Sequence, residues 1–289
     1  MWRSAILNSG LTLNRLWLAR LLGRFPALGR LLRLRLSPEL LASLNDLEPS
    51  LENGTLYAAA VTWMRTGRVM KTVGLHRNSL ADARLLDLAR TRGLSRIADI
   101  GASDGSASLR LLEGLPGARV RLFDKYNFFQ LRPRPLGCEV FNSAGERIYR
   151  RLGPVLLYLY DRPSPPAEEP LRRLPVKNPL LRRFPLEIED FDLFEDDLDG
   201  EFDLIKCCNC LNLEFYPGER LHAGIVRLLK SLPEGGCLLV GQNHAEYPEG
   251  EAYFVLQRRG AGSVLLEERN RHRLLEWLRI HRPEVLGGA

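Results

Sequence analysis

The nine residues IADIGASDG, from Ile97 to Gly105, place two closely spaced glycines directly after an apolar run. Glycine lacks a Cβ atom, so Gly101 and Gly105 let the chain turn through conformations that other residues avoid and let a ligand approach the backbone. The N–H groups at the start of a following helix can then meet a carboxylate or a phosphate. The stretch therefore predicts a ligand-binding turn between a strand and a helix.

Strand-like and helix-like patterns alternate along the chain on both sides of this turn. The predicted strands are Arg96–Ile100, Arg119–Asp124, Leu186–Phe191, Phe202–Cys208 and Cys237–Gln242, and the predicted helices are Ser79–Arg92, Ser106–Leu115 and Glu219–Leu232. Two last strand-like runs, Ala252–Arg258 and Ser263–Glu268, are joined by a short glycine-containing link that suits an antiparallel hairpin. We predict an α/β fold with a Rossmann-like, seven-stranded, mostly parallel sheet that ends in this hairpin.

Two further segments extend the predicted sheet. Residues 1–78 are interpreted as an N-terminal helical extension or cap, in which residues 11–45 form an amphipathic helix broken at Pro26. Residues 79–289 are interpreted as the catalytic domain. Residues 130–183 are rich in proline, which excludes continuous helix, and we interpret them as an insertion that covers the catalytic face.

The charge and the cysteine content of the 289-residue chain bear on its cellular compartment and its binding partners. Its formal net charge is +6. No acidic residue precedes Glu39. Three interpretations of residues 1–36 therefore stay open: an interfacial helix on an anionic membrane, an organelle transit peptide, or a helical cap on the catalytic domain. No apolar run reaches the roughly 18 residues of a membrane span. The five cysteines include one C-x-x-C pair without a second, which favours a reducing, cytoplasmic setting and no metal. No nucleic-acid recognition module is recognisable, and the oligomeric state stays open.

The glycine turn resembles motif I of class I S-adenosylmethionine-dependent methyltransferases, which follows the pattern D-x-G-x-G/S-x-G. A dinucleotide fingerprint would need glycine where this chain has Ser103 and Ser106, which weakens an NAD assignment. Further matches follow in the family's order: Asp124 ends the next strand, Asp192 stands in an acidic turn, and LLKSLPEGGCLLV spans residues 228–240.

This resemblance implies that the cofactor is S-adenosyl-L-methionine. In the family the acid at the second strand end, here Asp124, accepts hydrogen bonds from the ribose hydroxyls, and Asp192 lies beside the adenine amino group. The residues predicted to bind the cofactor are Asp99, Gly101, Ala102, Ser103, Gly105, Asp124, Lys125, Asp192 and Asn209.

The methyl acceptor is predicted to be a small molecule held by Asn212, Tyr216 and His244. Several O-methyltransferases of the family carry a catalytic histidine where this chain has Asn212, and an amide cannot act as a general base. We therefore expect methyl transfer that depends mainly on proximity and orientation. His244, after the fifth strand, is the alternative candidate for a base.

Three other functions compete with this prediction. The run from Cys207 to Leu211, CCNCL, partly resembles the C-R-N-V-L of methyltransferases that esterify protein carboxylates. A non-catalytic binding or scaffold protein could keep the same fold. A short-chain dehydrogenase would need a Tyr-x-x-x-Lys pair, which the sequence lacks.

Overall fold

A computed structural model of the protein describes residues 10–13, 34–36, 38–62, 64, 66, 71, 73–159, 171–198 and 202–287. The helices in these ranges are α1 (Pro38–Asn45), α2 (Leu51–Thr62), α3 (Ser79–Arg92), α4 (Leu109–Gly114), α5 (Gly218–Lys230) and α6 (Arg273–His281). The strands are β1 (Gly10–Leu13), β2 (Leu34–Leu36), β3 (Arg96–Ile100), β4 (Arg119–Phe123), β5 (Phe128–Arg134), β6 (Gly137–Asn142), β7 (Arg147–Leu152), β8 (Val155–Tyr158), β9 (Arg172–Pro175), β10 (Ile188–Glu189), β11 (Leu204–Cys208), β12 (Cys237–Asn243), β13 (Glu251–Arg259) and β14 (Gly262–Arg269).

These elements form two compact units. The Rossmann-like unit contains His76–Ala102, Ala107–Asp124 and the described chain from Leu186 onward. The accessory unit contains the described residues up to Leu75 together with Ser103–Ser106 and Lys125–Pro185.

The Rossmann-like unit is built on a seven-stranded sheet with the strand order β10-β4-β3-β11-β12-β13-β14. The first five strands are parallel to one another, and β13 runs antiparallel to both β12 and β14. The predicted Rossmann-like, mostly parallel sheet with a C-terminal antiparallel hairpin is therefore confirmed. Strand β3 has the bounds predicted from the sequence.

Helices cover both faces of this sheet, which explains why its central strands β3, β11 and β12 are largely apolar. On one face, α3 and α4 pack on alternate strand residues such as Ile97 and Leu239. On the other face, α5 and α6 pack on their neighbours Ala98 and Leu238. Lys206 in β11, Asp99 in β3 and Glu251 in β13 depart from this pattern, since they are buried charged residues.

Helix α3 matches its predicted bounds and is fixed at both ends. Gly93 takes a left-handed φ of 65°, and its N–H caps the helix by donating to the Ala89 carbonyl. At the other end, the Glu251 carboxylate on β13 accepts the N–H groups of Leu80 and Ala81 at 3.0 and 2.9 Å. A carboxylate at a helix N-terminus satisfies N–H groups that have no partner within the helix.

The accessory unit contains a second seven-stranded sheet, in the order β2-β1-β8-β7-β6-β5-β9, which the sequence did not predict. All pairs from β1 to β9 in this order are antiparallel, and β1 pairs with β2 in parallel. Helices α1 and α2 pack on one face, where Phe129, Val140 and Tyr149 are buried. The residues interpreted as a proline-rich insertion therefore form most of a sheet.

The helix predicted over residues 11–45 is wrong for the part before Pro38. The structure describes two stretches there, and neither is helical. Residues Gly10–Leu13 and Leu34–Leu36 are strands, and only Pro38–Asn45 is helical. Leucines in LTL and LRL alternate with polar residues, the period of a strand, and β1 extends the sheet next to β8. The rest of the segment, including Pro26, lies outside the described residues.

Smaller differences concern element ends. The helix predicted at Ser106–Leu115 begins as a 3-10 turn, and the strand predicted at Leu186–Phe191 shortens to Ile188–Glu189. Helix α6 was not predicted. No helix among the described residues is long and apolar enough to cross a membrane.

Candidate functional site

The candidate site lies at the carboxyl edge of the parallel strands. From β3, the next strands along the chain, β4 and β10, lie successively further out on one side of the sheet. The strands β11 and β12 that follow lie on the other side of β3. Ile100 of β3 is the neighbour of Cys207 of β11, so Gly101 and Asn209 follow adjacent strand ends. In open α/β sheets, ligands bind outside the carboxyl ends at such a topological switch point.

The glycine turn has the backbone that the sequence predicts. Gly101 and Gly105 have φ angles of 76° and 77°, and Ser103, at 59°, also takes this left-handed conformation. A Cβ atom at Gly101 would overlap the Sγ atom of Cys210. The N–H groups of Gly101 and Ala102 both donate to the Phe123 carbonyl, at 2.8 and 3.0 Å. These contacts hold the turn against the end of β4.

The Asp99 carboxylate forms hydrogen bonds with other side chains inside the protein. Its Oδ2 atom accepts hydrogen bonds from Ser108 Oγ at 2.7 Å and from Lys206 Nζ at 3.0 Å. The same ammonium lies 2.9 Å from Oδ1 of Asp82, and all three charged groups are buried. Although burial opposes the charge, Asp99 and Asp82 hold the Lys206 pKa well above its usual range. Asp99 therefore ties β3 to the start of α4 and supports the turn from below.

Ser103, Gly105 and Lys125 belong to the accessory unit, as does Asp104 between the first two. The Asp104 carboxylate is fully buried and accepts hydrogen bonds from Ser106 N, from Ser106 Oγ and from Asn178 Nδ2. Burial raises the pKa of Asp104. Asn178 also donates to the Gly54 carbonyl at 2.9 Å, so the middle of the turn is anchored within the accessory unit.

Asp124 and Asp192 follow neighbouring strand ends. Asp124 is 9% exposed, and its N–H donates to the Glu189 carbonyl at 3.0 Å. Asp192 is partly exposed, and its Oδ1 atom accepts the N–H of Phe194 at 3.1 Å. Phe191 is buried and packs edge-on against Phe123, with 5.5 Å between ring centroids. The edge thus presents two carboxylates beside an aromatic cluster.

Asn209 connects three segments at this edge. It has a φ of 62°, and its Nδ2 atom donates to Asn78 Oδ1 at 3.1 Å and to Asn243 Oδ1 at 2.9 Å. Its Oδ1 atom accepts the N–H of Asn243 at 2.8 Å. Asn243 in turn donates to the Arg77 carbonyl at 3.0 Å. These bonds fix the segment before α3 against the ends of β11 and β12.

The three predicted acceptor residues are partly buried. Asn212 accepts the N–H of Glu214 at 2.8 Å, and the Glu214 carboxylate lies 3.5 Å from Nε2 of His244. The Tyr216 ring lies 4.7 Å from that of Phe194, two residues after Asp192. Glu214 thus links Asn212 with His244, whereas Tyr216 packs on the loop that contains Asp192.

His244 has one ring nitrogen occupied by the backbone. Its Nδ1 atom accepts the N–H of Glu246 at 3.2 Å. In a neutral imidazole the accepting nitrogen carries no proton, so this bond assigns the proton to Nε2, which faces Glu214. The lone pair that a general base would use is therefore engaged in a backbone turn.

The Cys207 and Cys208 thiols are structural. Cys207 and Cys208 are buried in β11, as expected of small strand residues, whereas Cys210 is only partly buried. The pKa of Cys207 is raised by its hydrogen bond to Cys210 and by burial, and that of Cys208 by burial. Thiols held protonated in this way are poor nucleophiles. Within the described ranges, no group of three or more His, Cys, Asp or Glu side chains could hold a metal ion.

Sequence reasoning missed four residues of this edge: Lys206, Asn78, Asn243 and Arg77. A lysine inside the apolar run LIKCC was the available signal, because a buried ammonium needs carboxylate partners. The two asparagines gave none, since their partners come from distant parts of the chain.

No protein-family model matches the sequence, and no curated protein matches it. The chain is similar in structure to several solved methyltransferases. The S-adenosylmethionine-dependent methyltransferase SibL is 16% identical at a TM-score of 0.32, over 56% of this chain and 35% of its own. An amino pentose methyltransferase from Micromonospora echinaspora is 15% identical at a TM-score of 0.34, over 62% of this chain and 63% of its own. Human N-acetylserotonin methyltransferase is 12% identical at a TM-score of 0.33, over 66% of this chain and 38% of its own.

In each case the matched region spans less than two thirds of the solved chain. At these identities and TM-scores the similarities do not bear on activity. The functional proposal therefore rests on the sheet topology and on the geometry of the carboxyl edge.

Proposed function

We propose that this protein, whose Rossmann-like unit has the class I methyltransferase fold, transfers the methyl group of S-adenosylmethionine to a small-molecule acceptor. The Gly101 turn at the switch point carries the proposal. Its left-handed φ and the Cys210 sulfur packed where a Cβ atom would lie require a glycine at this position, and a glycine presents its backbone to a ligand without a side chain of its own. Asp124 at the next strand end then supplies the carboxylate that a ribose requires.

The remaining predicted residues fit this cofactor. Gly101 and Ala102 would lie along its amino-acid part, and Asp124 would accept hydrogen bonds from the ribose hydroxyls. Asp192, beside the buried Phe191, would face the adenine. The side chain of Asn209 already donates to Asn78 and Asn243. Asn209 would therefore hold the ends of β11 and β12 in place instead of binding the cofactor with its amide. When bound, the cofactor supplies a methyl group activated by the positive sulfonium.

The chain's own contribution to the reaction would be binding, orientation and exclusion of water. Asn212 and Tyr216 would orient the acceptor. His244 contributes little as a base in this proposal, because its Nδ1 atom already accepts the N–H of Glu246. An acceptor that is nucleophilic without losing a proton fits such a site best.

Calorimetric titration with S-adenosylhomocysteine tests the proposal. The wild type should give a saturable signal, and Gly101→Val should abolish it, since the new side chain would collide with Cys210 and resist the left-handed φ. Gly93→Val is the matched control, because Gly93 has a similar φ of 65° with nothing near its Cβ position. Saturable binding of NAD, with none of the adenosyl compound, would overturn the proposal.

A further inference from the structure

Large apolar side chains are exposed together at one end of the accessory sheet. Among the described residues seven such side chains are exposed, and four of them lie at this end. They are Leu11 on β1, Leu136 in the β5–β6 turn, Leu152 on β7 and Val155 on β8, with exposures of 50, 74, 37 and 37%. We call these four residues the apolar rim. Single exposed apolar residues are common in proteins, whereas a connected group of them indicates a contact surface.

Strand pairing places three residues of the apolar rim side by side. Val155 is the cross-strand neighbour of both Leu11 and Leu152. Cross-strand neighbours share one face of a sheet, and the next residue along a strand points to the other face. Leu156 is buried in the core that α1 and α2 cover. Leu11, Leu152 and Val155 therefore lie on the face that points away from these helices.

The fourth residue of the apolar rim, Leu136, is held next to the other three. The N–H of Gly153, in the β7–β8 turn, donates to the Leu136 carbonyl at 2.7 Å. Gly137, directly after Leu136, is the cross-strand neighbour of Leu152. The two turns are thus joined, and the apolar rim is one connected surface.

The strands that carry the apolar rim are rich in arginine. From Phe128 to Tyr158 the sequence contains five arginines and two glutamates, without lysine or aspartate. Glu139 is buried, and Glu146 lies in the β6–β7 turn at the opposite end of these strands. Arg150 is exposed and precedes Leu152 by two positions on β7, so both side chains lie on the same face. The apolar rim therefore borders a basic surface.

We infer that the apolar rim binds the surface of an anionic phospholipid membrane. Its leucine and valine side chains would enter the boundary between headgroups and acyl chains, while the arginines would face the lipid phosphates. A second copy of this chain fits this surface less well, because two copies that met at the apolar rim would oppose their arginines. The inference is independent of the proposed function. It also differs from the contact predicted for residues 1–36, since three of the four rim residues lie outside that segment.

Co-sedimentation of the full chain with lipid vesicles tests this inference. The wild type should bind vesicles that contain phosphatidylserine more tightly than vesicles of phosphatidylcholine alone, and salt should release it by screening the charges. The double variant Leu136→Glu with Leu152→Glu should bind at least about tenfold more weakly, because two apolar side chains at the contact become charged. Arg150→Gln should bind about fivefold more weakly, the effect of one basic residue near an anionic surface.

The matched control is the double variant Leu51→Glu with Ile280→Glu. It replaces two exposed apolar side chains and adds the same charge, but neither residue belongs to the apolar rim. It should bind vesicles as the wild type does. If the rim double variant does not fold, as judged by circular dichroism, Leu136→Glu alone serves the test, because this side chain is the most exposed of the four. It should lower the affinity about threefold or more.

Equal vesicle binding by the wild type and the rim variants would contradict the inference, since residues 1–36 are intact in both. A wild type that does not bind phosphatidylserine vesicles would contradict it as well. Sedimentation equilibrium gives the third contrary outcome, a dimer that dissociates in the rim double variant, because a second copy would then cover the apolar rim.

Discussion

Replacing Lys206 with methionine should destabilise the Rossmann-like unit strongly. The ammonium of Lys206 is 1% exposed and lies between the carboxylates of Asp82 and Asp99, at 2.9 and 3.0 Å. Methionine fills a similar volume without charge, so Lys206→Met would leave two buried carboxylates without their cation. Breaking a buried pair in this way costs about 3 to 5 kcal/mol of the free energy of unfolding.

The loss should depend on pH in a defined direction. Burial already raises the pKa of Asp82, and Lys206 opposes that rise. Without Lys206 the folded-state pKa of Asp82 moves further above its unfolded value, so between these two values the folded state binds the extra proton. The free energy of unfolding then falls as pH rises through this interval. The deficit relative to wild type should be largest at about pH 8 and smaller at about pH 5.

Urea unfolding followed by circular dichroism at both pH values measures this deficit. The double variant Asp82→Asn with Lys206→Met should recover part of the loss, because only one carboxylate then stays unpaired. Lys230→Met is the control, since Lys230 is exposed at the end of α5, and it should change stability by less than about 0.5 kcal/mol. A deficit below about 1 kcal/mol, or one that grows toward low pH, would refute the reasoning.

Three further predictions concern the site and the N-terminal segment. Asp124→Ala should weaken S-adenosylhomocysteine binding in calorimetry by about 1.5 to 3 kcal/mol. An unchanged affinity would show that Asp124 does not bind the ribose. Once an acceptor is identified, His244→Ala should lower kcat by less than about tenfold and Asn212→Ala by more. Complete loss of turnover in His244→Ala, with the cofactor affinity unchanged, would instead favour base catalysis by His244. If residues 1–36 contact membranes, the full chain should co-sediment with anionic liposomes and be released by salt, and equal sedimentation of a protein that starts at Pro38 would exclude this.

Local signals in the sequence were sufficient for the Rossmann-like sheet. Strand β3 and helix α3 have their predicted bounds because an apolar run or a helical repeat in each ends at a glycine with a left-handed φ. Parallel strands buried on both faces need largely apolar runs, and this made β11 and β12 recognisable.

The accessory sheet could not be recognised in the sequence because charged side chains are buried on its strands among apolar ones. Glu139 on β6 is 6% exposed and pairs with Arg134 at 2.9 Å and Arg147 at 3.1 Å. These partners lie on the two neighbouring strands, so the charged residues compensate one another only after the sheet has formed. In the sequence they look like solvent-exposed residues, and the alternation of apolar and polar residues is lost.

The residues of the candidate site also include some that the sequence predicts and some that it does not. Gly101 and Asp124 could be predicted, because each follows a recognisable strand and belongs to a short motif. The contacts of Lys206 and Asn209 could not, because their partners come from elements that are distant in the chain. Long-range pairing of polar groups leaves no periodic signal in a single sequence.

A crystal structure of the protein grown with S-adenosylhomocysteine tests the central claim most directly. We predict density for the adenosyl group at the carboxyl edge of β3 and β4, with the ribose hydroxyls within hydrogen-bond distance of Asp124 and the amino-acid part against Gly101. Density for the ligand at any other place in the fold, with the Gly101 turn unchanged and unliganded, would contradict this claim.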